Sequence, residues 1–454
     1  MGSRTNPALA AGRTMPTRRN TELVMLLFAV LVVMAAQAIV DATVRGSVGL
    51  NVVYYGAGFA GLWLVAHLIV RRFARYADPL ILPAVALLNG LGLVLIARLD
   101  FADTLDAQSS GEPLPAGDAP LQLAWTLVGL VLFTAVLVLI RDHRVLAKYG
   151  YTLGAGGLLL LALPAVLPSA LSEVNGAKIW IRVAGFSIQP GEFAKIAVLI
   201  FFAAYLVAKR DVLSLAGRKV LGLELPRGRD LGPVLVVWVA SLGVLVFEKD
   251  LGSSLLLFGI FVVMLYVATE RVSWLAIGLL LFSGGAFVAY QLFSHVRVRV
   301  QIWLDPFAYR NEEGFQIVQS LLGFGTGGLF GKGWLNGPLT NNADIPVLWA
   351  DFPFAAVGEQ FGLLGSAVML GLFGIVLLRI WRIAHLSRDM FGTYLCAGVF
   401  TMLLWQVFQN VGMTVGIMPV TGLPMPFISY GGSSLVTYFA MLGLVQSVHM
   451  RRMR

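Results

Sequence analysis
Charge is scarce in this chain. Only 13% of its 454 residues are Asp, Glu, Lys or Arg, whereas 58% are hydrophobic. That balance excludes a soluble domain with a solvated surface. With a mean hydropathy of +0.82, it overrides the length rule that would suggest about three domains and places the chain among polytopic membrane proteins. Cysteine is nearly missing: Cys396 stands alone inside an apolar segment, so neither a disulfide framework nor a thiolate metal site can form within one chain. Histidine is sparse too, with five in the chain. His67, His143, His385 and His449 fall at segment ends, and His295 has no partner at metal-ligand spacing. There is no zinc pattern, basic helix, heptad run or internal repeat, so no metal site is expected from spacing alone.

Long apolar runs are what the chain does have. A spanning helix needs about 20 mainly apolar residues. Twelve segments qualify, at 22–40, 50–70, 79–97, 121–140, 149–168, 192–208, 231–247, 252–268, 273–292, 353–378, 391–413 and 427–448. The first is too long for a signal sequence and lacks a small-residue cleavage site, so it reads as a retained anchor. Met1-Gly2 invites a myristoylation reading, but Asn6 stands where Ser or Thr is needed. Basic residues set the orientation. With the N-terminus inside, 23 Lys and Arg fall on the inner side, nine on the outer side and Lys195 within a span. Both termini, 1–21 and 449–454, are therefore expected in the cytoplasm, with the chain a multi-pass protein of the membrane. The net charge of +9 is mainly a topology signal, which argues against nucleic acid as a partner.

Three outer loops are long. The stretch from Arg98 to Pro120 is acidic and rich in Gly, Pro and Ser, and reads as a flexible surface loop. The stretch 169–190 carries Trp and Ile between charges, which suits the membrane interface. The largest, 293–351, is the longest polar excursion in the chain and ends in Ala350-Asp351-Phe352 at the start of an apolar helix. A loop that only joined two spans could be far shorter, so Asp351 is the leading candidate for a reaction site at the membrane surface.

Other candidates carry a plain structural reading beside the functional one. Glu192 and Lys195, three apart after Gln189-Pro190-Gly191, form either a helix-start ion pair or a polar floor for a charged substrate. Glu248-Lys249-Asp250 reads as a solvated turn. The glycine-rich run 323–333 fails the P-loop pattern, because Thr326 and Gly333 occupy key positions, yet its backbone and Lys332 could hold a lipid phosphate. Ser433 and Ser434 open the last span, where a helix N-terminus suits an anion and close packing suits equally. Gln406, Gln409 and Asn410 share one helical face, as interhelical partners or as ligands.

Taken in order, Gly176-Ala177-Lys178-Ile179-Trp180-Ile181, Gln189-Pro190-Gly191-Glu192-Phe193-Ala194-Lys195, Asp250-Leu251-Gly252, Gly314-Phe315-Gln316, Gly331-Lys332-Gly333, Ala350-Asp351-Phe352 and Pro426-Phe427-Ile428-Ser429-Tyr430-Gly431-Gly432-Ser433-Ser434 resemble the shape, elongation, division and sporulation (SEDS) family of peptidoglycan glycosyltransferases. The resemblance covers 79–448. It implies an all-α fold with a ten-helix core, so that 22–70 becomes an N-terminal addition of two helices, as in actinobacterial members. Three family motifs differ here: Gly191 replaces a Ser, Glu248-Lys249 replaces Gln-Pro, and Trp349-Ala350 replaces His-Thr ahead of the aspartate.

The resemblance further implies a lipid II polymerase working at the outer membrane face, with Asp351 as base. Lys195, Arg297, Arg299 and Lys332 then become candidates for the pyrophosphate, with Glu192 orienting Lys195. A class B penicillin-binding protein is the implied transpeptidase partner. A divalent cation, Mg or Mn, could share the pyrophosphate charge, although no ligand cluster demands one. The extended N-terminus and the wording of 173–178 favour an elongation role over division. A lipid II transporter and a scaffold for other wall enzymes are the rival readings; neither requires an aspartate closing a long outer loop.

Overall fold
The computed structural model describes residues 17–115, 117–140, 142–174, 177–183, 186–214, 218–220, 223–225, 228–334, 336–341 and 348–453. Residues 1–16, Gly176 of the first family motif and Ile345-Pro346-Val347 lie outside them. All twelve apolar segments are helical: α1 Arg19–Arg45, α2 Leu50–Phe73, α3 Ile81–Ser110, α4 Asp118–Leu139, α5 Gly150–Val166, α6 Pro190–Ser214, α7 Gly228–Phe247, α8 Leu251–Thr269, α9 Ser273–Leu292, then α13 Pro353–His385, α14 Met390–Thr414 and α15 Gly432–Met453. Among the described residues nine helices are long and apolar enough to cross a membrane, so length and hydropathy alone do not establish twelve spans. The three that fall short are α5, α7 and α15. With 17 residues, α5 rises about 25 Å against a hydrocarbon core of about 30 Å. In α7 the apolar stretch whose side chains are described runs Leu235–Val246, and α15 buries Ser433, Ser434, Thr437, Gln446 and Ser447.

Small residues set how closely the helices approach. A side chain at Gly129 of α4 would run into Phe439 of α15, and one at Gly154 of α5 would meet Phe201 of α6. The added pair α1–α2 is joined to the core by buried polar groups. Glu22 holds Arg19 at 2.5 Å and His67 at 2.7 Å, and Arg19 also donates to the Ala77 carbonyl. Next to it, Asp78 binds Arg379 of α13, while its backbone exchanges two hydrogen bonds with the Gln446 side chain at 2.7 and 3.2 Å.

The all-α reading holds, with three short antiparallel strand pairs beside the helices: 173–174 with 177–178, 181–183 with 186–188 and 218–220 with 223–225. Two expectations need correction. The acidic stretch after Arg98 is not a flexible loop: α3 continues to Ser110 and ends at Gly111 with φ +71°, a left-handed helix stop. Asp100 then accepts the free N–H groups of Asp118 and Ala119 at 2.8 Å each, capping α4. Finally, 293–351 is largely helical. It contains α10 Ser294–Leu304, a 3-10 turn Pro306–Tyr309, α11 Phe315–Gly327, a short turn Pro338–Asn341 and α12 Leu348–Asp351. Ile302, Ile317, Leu339 and Leu348 pack with Leu99, Phe352 and Ala355 into a second apolar core, which is why this polar-looking stretch folds down onto the bundle.

The glycine run 323–333 is not a phosphate cradle. It splices a break in α13, where Gly362 takes φ +62° and ψ −159°. Lys332 and Gly333 donate to the carbonyls of Glu359 and Gln360 at 3.0 and 3.1 Å, and Leu363 and Leu364 donate to Gly328 and Leu329 at 3.0 and 3.1 Å. The N–H groups a phosphate would need are spent on closing the broken helix. Gly331, at φ +81°, lies directly against the Gln360 carbonyl, so Gly331→Ala should cost about 1–3 kcal/mol from strain and overpacking. Gly325, with open space around it, should instead gain roughly 0.5–1 kcal/mol as alanine. Thermal unfolding of the purified variants in detergent checks both; equal melting temperatures would sink the splice as a structural requirement.

Candidate active site
Asp351 is placed by its neighbours in sequence. Leu348 and Phe352, four apart, both enter the second core, so one turn of helix turns Asp351 away from it. Two backbone tethers hold that turn. The Tyr430 N–H donates to the Trp349 carbonyl at 2.9 Å. Asn410 of α14 donates through one nitrogen to the Asp351 carbonyl and to the Leu423 carbonyl, each at 2.9 Å. The aspartate is thereby positioned by main-chain contacts that leave its carboxyl group uncommitted by any of these bonds.

Burial pushes the Asp351 carboxyl from an ordinary 3.8 up to about 6, with Arg299 pulling in the opposite direction. Arg299 stands between two carboxyl groups, Asp351 and Asp250, while burial lowers its own pKa. Its Nη1 donates to the Val420 carbonyl at 2.9 Å, which fixes the guanidinium beside the aspartate. Asp250 caps α8 by accepting from the Ser253 N–H at 2.9 Å. Next to it, burial and the Asp250 charge push Glu248 up to about 8. A cavity of about 400 Å³ opens beside Arg299, lined by Ser294, His295, Val298, Ile302, Glu313, Gln316, Ile317 and Val420. A carboxylate with a pKa near 6 is mostly charged at neutral pH, yet takes a proton more readily than an aqueous one. The adjoining guanidinium suits an anion.

The other sequence candidates divide. Arg299 joins Asp351, but Arg297 folds back onto the Tyr290 and Gln291 carbonyls at 3.4 and 3.0 Å and lies over the Tyr290 ring. Lys332 sits at the splice, 3.8 Å from Glu359. Glu192 and Lys195 pair at 2.7 Å, both 1% exposed, deep in the bundle. Ser433 accepts from the Gln189 N–H at 2.9 Å, and Ser434 donates to the Gly431 carbonyl at 2.9 Å, so both hydroxyls have local roles. Close to the Glu192–Lys195 pair, Tyr438 lies beside Ser434 and Gln406. Gln406 and Gln409 keep side-chain amide atoms without a hydrogen-bond partner among the described residues.

Sequence reading did not reveal Asp250 as Arg299's second partner, nor Asn410 as the tether of Asp351. Asp250 stood in a family motif and Asn410 on a polar helical face, but neither pattern names the residue it meets in space. Among the described residues no three His, Cys, Asp or Glu converge at ligand spacing. The carboxyl groups near Asp351 share a guanidinium, which does not fit a divalent ion.

The titration follows from the sign of the shift. Because the folded state holds the Asp351 proton more tightly, stability should fall as pH rises from about 4 to about 6 and then level off. Infrared difference spectra should show one carboxyl ionising near pH 6 that is missing in Asp351→Asn and moves upward in Arg299→Gln. Ionisation near pH 4 in the unmodified chain would contradict this environment.

With the geometry established, comparison with known proteins places the chain. The family model FtsW/RodA/SpoVE, described as a cell cycle protein, matches residues 78–454. The chain is 50% identical over 448 residues to the peptidoglycan glycosyltransferase RodA of Mycobacterium tuberculosis, covering 99% of this chain and 94% of that one. It is 34% identical over 285 residues to the stage V sporulation protein E of Bacillus subtilis, covering 62% and 74%. Among solved structures, it matches a chain from a peptidoglycan synthase complex that coordinates polymerization and crosslinking, at TM-score 0.63 and 28% identity, covering 83% of this chain and 98% of that one. It also matches Thermus thermophilus RodA at TM-score 0.53 and 26% identity, covering 83% and 97%. The fold that brings Asp351 and Arg299 together is thus a shared one, and the chain belongs to the FtsW/RodA/SpoVE family.

Proposed function
We infer that this chain is a peptidoglycan glycosyltransferase that polymerises lipid II at the outer face of the cytoplasmic membrane for cell elongation. The observation that carries the reading is a buried carboxyl group, Asp351, tuned towards neutrality beside Arg299, in a chain 50% identical along almost its whole length to a mycobacterial protein named for that activity. In the reaction, Asp351 takes the proton from an acceptor sugar hydroxyl. The freed oxygen forms a bond to the donor's anomeric carbon while that carbon's bond to the phosphate oxygen breaks. The polyprenyl pyrophosphate leaves with the electron pair, its charge met by Arg299. The two rigid tethers on the Asp351 turn suit this role, since a base must already be in reach of its proton.

A positioned base typically contributes about 10²–10⁴-fold, so Asp351→Asn should lose that much lipid II polymerisation while folding and partner binding persist. The assay uses purified protein together with a single-span class B penicillin-binding protein whose transpeptidase is blocked. Exposed Leu363, Leu364, Val368, Leu378 and Trp381 on α13, with Leu404 and Phe408 on α14, offer such a span an apolar surface. Near-normal polymer from Asp351→Asn would remove the base assignment. Lipid II movement across vesicles without polymer from the unmodified chain would favour a transporter.

The direction of the reaction in the membrane rests on the charge asymmetry of 23 inner against nine outer basic residues. Both termini are then cytoplasmic. Single cysteines at Ser294 and Asn336, in a Cys396→Ser background, should react with an impermeant thiol reagent in intact cells. Reaction only after lysis would invert the topology.

A further inference from the structure
Glycosyl transfer by Asp351 and Arg299 leaves one titratable group beside them idle. His295 precedes Arg299 by four residues on α10, which puts both side chains on one face of that helix. Both line the cavity of about 400 Å³, with Glu313 before α11 and Gln316 within it. The imidazole is packed but not tied. The Phe293 ring lies 5.6 Å away, centroid to centroid, and Nε2 is buried without a hydrogen-bond partner among the described residues. The charges that bear on the ring are mostly positive: Arg299 on its own helix and Lys249 on the turn between α7 and α8. Asp250 and Asp351 act on Arg299, and Glu313 is exposed, where its charge is well screened. Burial and the two cations hold His295 below its ordinary pKa, so at neutral pH an uncharged ring stands beside a guanidinium. An anion placed against Arg299 reverses that balance, because it offsets both cations and gives an imidazolium something to face.

We propose that His295 is a proton-linked partner of Arg299: as a pyrophosphate group seats against the guanidinium, the imidazole takes up a proton and becomes a second cation beside it. The proposal rests on the reading of the chain as a lipid II polymerase, whose leaving group is that anion. The proton comes from solvent and returns to it when the pyrophosphate departs, so none is consumed. The sign follows from linkage. Because the bound state holds the His295 proton more tightly, the extra affinity is fully present below the free midpoint. It is lost as pH rises through the bound one. A permanent second arginine would hold the spent pyrophosphate as firmly as the reacting one; a histidine lets go of it as the proton leaves.

Hydrogen exchange at the imidazole Cε1, read by mass spectrometry on purified full-length protein in detergent, reports each of the five histidines separately. The probe is inorganic pyrophosphate, with phosphatidylglycerol as the competing source of phosphate. Pyrophosphate should raise the His295 midpoint by about one unit or more and leave those of His67, His143, His385 and His449 in place. One unit corresponds to about tenfold tighter binding of the probe by the protonated form. Pyrophosphate and Asp351 titrate in the same range, so Asp351→Asn must keep the His295 shift. Arg299→Gln should lose the probe and the shift together. His295→Gln should still bind the probe, with that tenfold dependence on pH removed. A His295 midpoint unmoved by bound pyrophosphate would overturn the proposal, as would failure of the unmodified protein to bind the probe. An equal shift with phosphatidylglycerol would overturn it too, by assigning the cavity to ordinary lipid headgroups. The expected shift in a chain that forms no glycan would instead count against polymerisation, so the two failures are distinguishable.

Discussion

Backbone groups cannot be left unpaired in hydrocarbon, and the break in α13 at Gly362 is where this structure meets that constraint most directly. A helix interrupted inside the bundle would leave carbonyl and N–H groups stranded. Here the turn that follows α11 enters the gap and satisfies both ends, through Lys332, Gly333, Gly328 and Leu329. The region between α9 and α13 is therefore woven into a long apolar helix. That stitching holds α11 down, gives Ile317 and Leu339 a place beside Leu348 and Phe352, and so fixes the turn on which Asp351 stands.

Polarity inside the bundle follows a similar logic at three levels. At one end, Glu22, His67, Arg19, Asp78, Arg379 and Gln446 join α1, α2, α13, α15 and the turn before α3 through charges and amides. In the middle, Glu192 and Lys195 neutralise each other. Near the other end, Asp351, Arg299 and Asp250 are left only partly compensated, as the raised carboxyl shows.

The spans were legible because apolar runs of that length have few other meanings, and all twelve became helices. Asp351 was legible from its place at the end of a long polar region and from family motifs. What escaped was anything decided by a helical face. Arg297 and Arg299 are two residues apart, about 200° around a helix, so at most one could face the aspartate, and nothing local says which. The acids Asp100, Asp103 and Asp106 looked like loop, although their spacing of three and the stop at Gly111 suit a helix. The glycines of 323–333 resembled a ligand cradle because close approach to a phosphate and close approach to a broken helix demand the same missing side chain. The fold class was legible too, although no periodicity announced the three short strand pairs beside the helices.

The contact between Asp78 and Arg379 spans 301 residues of sequence, and synthesis proceeds in one direction. At about 5–20 residues per second, Asp78 leaves the ribosome roughly 15–60 s before its guanidinium partner exists, and Gln446 follows later still. The first three helices must wait in the bilayer as a loosely joined group, with Glu22 already occupied by Arg19 and His67 but Asp78 unanswered. Only when α15 is in place, with Gln446 bonded to the backbone of Asp78, does this polar group close. In this bundle, helices made late lock helices made early.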